Sequence, residues 1–369
     1  GEIRKSTMLE QQVTSFFLGA NSARGFSSLY DQLIREEAGE FLWCIKGGPG
    51  CGKSSFMKRL GRAAETAGLD VEYIYCSGDP ESLDAVHFPQ LGIAYADATA
   101  PHVLEPRYPA ASGLYLDLGA FYAAGPLEER LPEMTALQRQ YRSIYQGVYA
   151  ALGAAEALIP QALPGLYTAE EAAAVAARAR AAIARECGKG NGAPGRLRRR
   201  FVSAISCQGT VFLGETVARL CPRLFLLDNG CGLADVYLQE AAKTAEERGQ
   251  AGILCMEPLC PARAEALLLP ELGVGYLAGN GRHDAGLPIH RRIRLDAMTD
   301  AARIRELRPR LRERSRAAAA LLREAETLLA QAKILHDSLE SWYNPHVDFS
   351  GVYSLADEHA AWLLDQAGV

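Results

Sequence analysis

The sequence predicts an α/β protein of two tandem lobes, each a mostly parallel sheet flanked by helices and followed by a helical hairpin. Three observations predict this fold: a glycine-rich loop between an apolar strand and a helix, an internal repeat, and a narrow apolar seam late in each half. The 369 residues suit two domains, and 49% hydrophobic with 22% charged residues is a globular composition.

Residues 47–54 read Gly-Gly-Pro-Gly-Cys-Gly-Lys-Ser, the G-x-x-x-x-G-K-S pattern of a phosphate-binding loop, directly after the apolar run at 41–45. Backbone N–H groups of such a loop surround phosphate oxygens, and the helix N-terminus adds partial positive charge. We expect Lys53 to contact the β- and γ-phosphates and Ser54 to ligate Mg²⁺, which makes ATP and Mg²⁺ the predicted cofactors. The predicted nucleotide-binding residues are Gly47, Gly48, Pro49, Gly50, Cys51, Gly52, Lys53, Ser54 and Ser55.

The internal repeat relates the two halves of the chain. Residues 80–93 recur as 261–274 with the same separation of two prolines, 17–25 recur as 201–209, and 41–52 correspond to 224–232. The halves differ where phosphate chemistry needs side chains, since Lys53, Ser54 and Asp97 become Leu233, Ala234 and Ala278. We therefore expect lobe two to be catalytically silent. Residues 224–228 form an apolar run that ends in aspartate and, taken alone, resemble a Walker B strand. In the repeat, however, this run corresponds to the strand before the phosphate loop, and the loop that follows it is degenerate.

Five segments follow from this comparison. Lobe one is assigned to 1–125, its helical appendage to 126–187, a linker to 188–200, the degenerate lobe two to 201–297 and the C-terminal appendage to 298–369. The linker is rich in glycine from Gly188 to Gly195, and the arginines that follow it, Arg196, Arg198, Arg199 and Arg200, are interpreted as a solvated face, with phosphate sensing or nucleic-acid binding as the alternative.

The appendages show apolar residues at alternating spacings of four and three. The seams run from Leu137 to Leu158 and from Leu321 to Trp342, as expected for narrow coiled-coil-like packing. We expect the hairpins to pack on their own lobes or on each other, and the alternative is a protein partner bound by these helices. A capping box at 168–171 is predicted to open the second helix of the first hairpin, and Ser354 is predicted to cap its counterpart.

Charge and cysteine usage restrict the class of protein. The net charge of −5 makes a general nucleic-acid or membrane-surface binder unlikely, although local basic clusters remain compatible with it. The nine cysteines form no C-x-x-C pair, so reduced thiols are expected. No apolar signal core or membrane-spanning run is found, and a cytoplasmic location is predicted.

These residues give the chain a resemblance to an uncharacterised family of bacterial tandem P-loop ATPases, from about residue 17 to the C-terminal helix. The resemblance implies ATP binding and two P-loop NTPase-like lobes, but no substrate. Members of that family often carry a usable lysine loop in both halves, from which lobe two departs. The residues that carry the resemblance are 17–26, 75–80 with 82–84, 99–102 with 105–106, and 336–340 with 348–349.

Candidate chemistry outside the loop rests on a few polar residues. Asp97 ends an apolar strand and is predicted to be the Mg²⁺ carboxylate, with a turn-forming role as the alternative. Asp79 and Asp84 are candidates to position a water or a substrate, or to cap a helix or loop. His102 is a candidate to orient water or move a proton, although its counterpart His283 in the silent lobe favours a structural role. An arginine finger from lobe two is a further option, with Arg282, Arg291, Arg292 and Arg294 as its candidates.

The function predicted from the sequence is Mg-dependent ATP hydrolysis in lobe one, with Lys53, Asp97 and His102 as the catalytic residues and lobe two as a degenerate partner. Two alternatives stay open. One is a small-molecule or nucleotide kinase, and the other is a non-enzymatic scaffold gated by ATP.

Overall fold

A computed structural model describes residues 10–100, 103–190, 192–281 and 286–369 of the chain. Two similar α/β lobes follow one another, and each contains a six-stranded mixed sheet flanked by helices. The predicted α/β class and the two-lobe arrangement are confirmed. Among the helices described, none combines the length and the apolar character needed to cross a membrane.

The sheet of lobe one has the strand order β1-β5-β6-β7-β4-β8, and a separate hairpin is formed by β2 and β3. Only β6 runs against the other strands, because short turns join it to β5 and β7, whereas parallel neighbours need a crossover. The strands are β1 Val13–Phe17, β2 Gly19–Ser22, β3 Gly25–Ser28, β4 Phe41–Lys46, β5 Val71–Tyr75, β6 Leu83–Phe88, β7 Ile93–Asp97 and β8 Gly113–Asp117. The helices are α1 Lys53–Thr66, α2 Ala124–Glu128, α3 Leu131–Leu158 and α4 Ala169–Cys187.

Lobe two repeats this topology, with the order β9-β13-β14-β15-β12-β16 and a hairpin of β10 and β11. Its central strands are almost wholly apolar because they are buried on both faces. The strands are β9 Leu197–Arg200, β10 Ser203–Ser206, β11 Gly209–Phe212, β12 Arg223–Leu227, β13 Gly252–Met256, β14 Ala264–Leu269, β15 Val274–Ala278 and β16 Ile289–Ile293. The helices are α5 Gly214–Leu220, α6 Leu233–Glu247, α7 Ala301–Tyr343 and α8 Phe349–Ala367.

The linker predicted at 188–200 ends earlier in the structure. Residues 197–200 form β9, which pairs in parallel with β13 at the edge of the second sheet. This strand corresponds to β1 of lobe one, which pairs with β5 in the same way. The described residues 188–190 and 192–196 form no helix or strand, whereas the arginine-rich residues that follow form an edge strand that the sequence did not predict.

The helical hairpins are exchanged between the lobes. Their first helices, α3 and α7, pack along each other, which confirms the prediction that the hairpins contact one another. The second helices instead cross over: α4 packs on α6 of lobe two, and α8 packs on α1 of lobe one. Packing of each hairpin on its own lobe is therefore a wrong expectation for the second helices.

The starts of these second helices are capped differently from one another. Thr168 and Glu171 form the predicted capping box at the start of α4. At the start of α8, the Asp348 carboxylate accepts a hydrogen bond from Gly351 N (3.0 Å), and Ser354 lies inside the helix. The prediction that Ser354 is the cap is wrong, since an Asx cap six residues earlier satisfies the free N–H group.

The two lobes meet about a local two-fold relation. Phe17 and Phe201 occupy equivalent positions and exchange two backbone hydrogen bonds of 2.9 Å. Farther out, Ala23 N donates to Leu259 O and Cys207 N donates to Gly78 O, each at 3.0 Å. Facing residues of both sheets also belong to one buried apolar cluster. The lobes therefore share a core.

A buried ion pair crosses this junction. The fully buried Arg200 guanidinium donates to both carboxylate oxygens of Glu72 (3.0 and 3.2 Å), and His87 Nδ1 lies 3.0 Å from the same carboxylate. Burial alone raises the pKa of Glu72, but Arg200, Arg198 and His87 outweigh burial and hold this pKa well below its usual value. The interpretation of Arg200 as part of a solvated face is wrong, because its charge is needed between the lobes.

The variant Arg200→Met should lower the free energy of unfolding by about 3–5 kcal/mol, because it leaves the Glu72 carboxylate buried without its main partner. The double variant Arg200→Met with Glu72→Gln should recover much of that loss. Urea unfolding at pH 7 measures both. Since the folded pKa of Glu72 is lowered, the stabilisation is present above the unfolded pKa of about 4.3 and disappears as the pH falls through the folded value. Equal stability of the wild type and Arg200→Met at pH 7 would contradict this assignment.

Candidate functional site

The phosphate-loop sequence of lobe one lies between β4 and α1, as predicted. β4 ends at Lys46 and α1 begins at Lys53, so the loop spans six residues, 47–52. Gly50 (φ +69°) and Gly52 (φ +89°) adopt the left-handed conformation that favours glycine. These two positions explain why the loop turns sharply enough to bring the start of α1 back toward the end of β4.

Lys53 folds back over the loop. Its ammonium group donates to Gly47 O, Gly48 O and Thr99 Oγ1, each at 3.1 Å. Asp97 Oδ2 lies 3.6 Å from the same nitrogen, and both side chains are largely buried. Strand pairing explains the proximity, since Asp97 is in register with Ile45 on the neighbouring parallel strand. The two predicted catalytic residues are therefore brought together.

Asp97 also forms a turn. Its Oδ1 accepts from Thr99 N (3.0 Å) and from the Thr99 hydroxyl. The turn-forming role of Asp97 is therefore confirmed for one carboxylate oxygen, whereas the other oxygen faces Lys53 and its Mg²⁺ role stays a prediction. Sequence reasoning missed Thr99, although a threonine two residues after a strand-ending aspartate is a recognisable local signal for such a turn.

Ser54 has a structural contact of its own. Its Oγ accepts a hydrogen bond from Leu83 N (3.0 Å) and so ties the start of β6 to α1. A metal-ligand role for this hydroxyl would use its remaining lone pair. In lobe two Asp235 makes the equivalent contact, accepting from Ala264 N at 2.8 Å.

Two further acids have different surroundings. Asp84 is buried and accepts from Tyr30 OH (3.0 Å). Burial and the nearby Asp97 charge raise the pKa of Asp84 to about 7, against the opposing effects of the Tyr30 hydrogen bond and Lys53. Asp79 instead pairs with Lys333 of α7 at 3.0 Å. His102, the third predicted catalytic residue, lies outside the described residues.

The C-terminal hairpin of lobe two covers the loop of lobe one. A Cβ placed on Gly50 would lie 2.5 Å from Asn344 Oδ1, and one on Gly52 would lie 3.3 Å from a Val352 methyl carbon. Tyr122 OH donates to Pro49 O (2.6 Å) and closes another side. Nothing in the local sequence signals this cover, because it depends on the exchange of α8.

The corresponding loop of lobe two is shorter and already holds an anion. It spans five residues, 228–232, between the end of β12 and the start of α6. The Asp296 carboxylate accepts from Gly230 N and Cys231 N, each at 3.0 Å. In the described part of the chain, no carboxylate accepts from the loop amides of lobe one. Asp296 follows β16 in a short turn, and the turn after β8 in lobe one, Leu118–Phe121, contains no acid. Sequence reasoning missed this residue.

Arg292 is directed within its own lobe, where it donates to Asp228 at 2.7 Å. An arginine finger from Arg292 toward lobe one is therefore not supported, and the Asp228 charge is partly compensated. Arg282 and His283 lie outside the described residues.

Comparison of this chain with protein-family models, curated proteins and solved structures finds no match. The site must be interpreted from its own geometry. It combines a glycine loop, a helix N-terminus, a partly buried lysine and two acids, a set of groups suited to binding an anion together with a hard cation.

The variant Asp296→Ala should lower the melting temperature, because it leaves two loop amides without an acceptor at a cost of about 1–3 kcal/mol. Added sulfate should restore part of the loss by occupying the same amides. Thermal unfolding with and without sulfate measures this, and Asp228→Ala is the control because Asp228 accepts from none of the amides of its loop. An identical sulfate response in the wild type and Asp296→Ala would refute the anion role of Asp296.

Proposed function

We propose that lobe one binds Mg-ATP and hydrolyses it, while lobe two serves as a locked structural partner. One observation carries the proposal. The two lobes have the same topology, but lobe one keeps Lys53 and Asp97 beside a six-residue glycine loop, whereas lobe two replaces both residues and satisfies its shorter loop with Asp296. This asymmetry is what a protein with one nucleotide site would need.

The P-loop NTPase-like identity of the lobes belongs to this proposal. It is supported by the order strand, glycine loop, helix and by the pairing of β4 with the acid-terminated β7. The resemblance to tandem P-loop ATPases agrees with the same features. ATP is inferred from that resemblance and from the loop.

The residues of lobe one have separable roles in this scheme. Lys53 would leave the carbonyls of Gly47 and Gly48 to neutralise the β- and γ-phosphates, and the loop amides would orient the phosphate oxygens. The oxygen donors of Ser54 and Asp97 fit a hard cation such as Mg²⁺, which supplies additional neutralisation of phosphate charge. Thr99 would hold Asp97 in its orientation.

Asp84 is the best-placed proton acceptor for the attacking water. It adjoins Asp97 across β6 and β7, since Ala85 and Ala96 are paired one residue away. A pKa of about 7 keeps a large fraction of the carboxylate ionised at neutral pH while it still accepts a proton readily. Its Tyr30 hydrogen bond fixes the side chain.

A second candidate is a scaffold that ATP switches without rapid turnover. The covering of the lobe-one loop by Asn344 and Val352 favours it, because phosphate bound there would act directly on the exchanged hairpin. Measured turnover separates the candidates: the hydrolase releases phosphate continuously, and the scaffold binds ATP with negligible release. Among the described residues no contact favours the kinase alternative over hydrolysis, since Asp79 is paired with Lys333 and Asp84 could accept a proton from a hydroxyl group as well as from water.

The variant Lys53→Ala should weaken ATP binding by about 10-fold or more and abolish hydrolysis, because the triphosphate loses its main cationic partner. Calorimetry on the wild type should find one nucleotide per chain. Lys58→Ala, on the exposed face of the same helix, is the matched control and should bind ATP normally. Two equivalent sites, or a site that survives Lys53→Ala, would overturn the one-site proposal.

The variant Asp84→Asn should leave ATP affinity nearly unchanged and slow hydrolysis by roughly 100-fold, since the amide cannot accept the proton. In the wild type the single-turnover rate should rise with pH through about 7 as Asp84 ionises, and this rise should vanish in the variant. Asp79→Asn is the control, with an unaltered pH profile expected. A wild-type rate in Asp84→Asn would remove Asp84 from the mechanism.

A further inference from the structure

The long helix α7 continues beyond its partner α3. It has 43 residues against 28 in α3, and the two pack antiparallel. Arg314 Nη2 donates to Ala157 O near the end of α3, and the Arg130 guanidinium stacks on Trp342 near its start. Residues 301–313 therefore extend past the end of α3, and the corresponding part of lobe one is the much shorter helix α2.

The extension is strongly basic. Residues 301–316 contain seven arginines and two glutamates, a net charge of +5 in a chain whose total is −5. Arg303 and Arg314 are engaged with the protein, through Glu171 and Ala157 O. Four others, Arg305, Arg308, Arg312 and Arg316, recur at i, i+3, i+7 and i+11 and are all exposed. We refer to these four as the arginine row.

The arginine row occupies one helix face over about 16 Å, since each residue rises 1.5 Å. None of its members forms an ion pair with a residue that the structure describes. Like charges at this spacing repel. The row therefore does not stabilise α7 by itself, and its exposed guanidinium groups are accessible to an anionic ligand.

We propose that the arginine row is a binding surface for the phosphates of a nucleic acid. Guanidinium groups bind phosphate oxygens through paired hydrogen bonds, and about 16 Å corresponds to roughly five phosphates along one strand. A lipid surface fits less well. Leu307 and Leu311 are half-buried, and the large exposed apolar side chains among the described residues all lie outside 301–316. The proposal is independent of nucleotide binding in lobe one.

The overall negative charge does not oppose this surface. Exposed charges separated by more than about 10 Å are largely screened at 0.1 M salt, so a polyanion responds mainly to the local row. The sequence expectation that nucleic acid is an unlikely partner rested on the net charge, which averages over the whole chain.

Fluorescence anisotropy with a labelled oligonucleotide of about 20 nucleotides, single-stranded or duplex, tests the proposal on the full chain. Four phosphate contacts predict a loss of affinity of roughly 100-fold between about 50 and 200 mM salt. Replacing all four residues of the arginine row with Gln should abolish most binding and flatten the salt dependence. The control replaces Arg62, Arg139, Arg142 and Arg185, exposed arginines elsewhere, with Gln and should bind normally.

Thermal unfolding should show that both quadruple variants are folded, with the arginine-row variant at least as stable as the wild type. Equal loss of affinity in the two variants would overturn the proposal, as would an absence of oligonucleotide binding at low salt. Binding to phosphatidylserine vesicles without binding to the oligonucleotide would replace the nucleic acid by a membrane surface and overturn it as well.

Discussion

The packing of each hairpin's second helix on the opposite lobe is the constraint on which the rest of the structure depends. Val352, Ala356 and Leu363 of α8 are buried against α1, and Val175, Ala179 and Ile183 of α4 are buried against α6. Each fully buried Val, Leu or Ile side chain contributes about 1.5–3 kcal/mol, so separation of the lobes would expose a large part of both cores. The same exchange brings Asn344 over the lobe-one loop, so the surroundings of the candidate site depend on how the hairpins pack.

The two glycine loops carry the same partial positive charge but lie beside different charged side chains. A helix N-terminus and clustered amides carry partial positive charge that favours an anion. Lobe two supplies the anion from its own chain as Asp296 and needs no lysine. Lobe one supplies a cation, Lys53, and holds it with carbonyls, Thr99 and Asp97. Under the proposed function, a polyphosphate would find a cationic partner in lobe one, whereas in lobe two it would have to displace Asp296.

The junction between the lobes is symmetric in its backbone and asymmetric in its side chains. Phe17 and Phe201 exchange equivalent hydrogen bonds, yet Glu72 and Arg200 form their buried ion pair on one side alone, since the positions that correspond in the repeat are Ile253 and Phe16. A buried ion pair adds little net stability but penalises any arrangement that separates its partners. It therefore helps to specify which lobe surfaces meet.

The sequence by itself determined the features that depend on neighbours along the chain. The glycine loop between β4 and α1, the repetition of one lobe in the other and the capping box at Thr168 all follow from patterns along the chain. The loss of Lys53 and Asp97 equivalents in lobe two was equally visible, because the two halves of one chain can be compared position by position.

Only the tertiary structure decided which surfaces meet. An amphipathic helix such as α8 fits either lobe by its apolar pattern, and the exchange was decided by the shapes of the two cores together. For the same reason the sequence did not distinguish the buried Arg200 from the other arginines near it. Asp296 lies 64 residues beyond Gly232 in the chain, and no sequence pattern predicted that its carboxylate would contact the glycine loop of lobe two. Hydrogen bonds and ion pairs between distant residues have no spacing rule, so their partners are known only once the chain has folded.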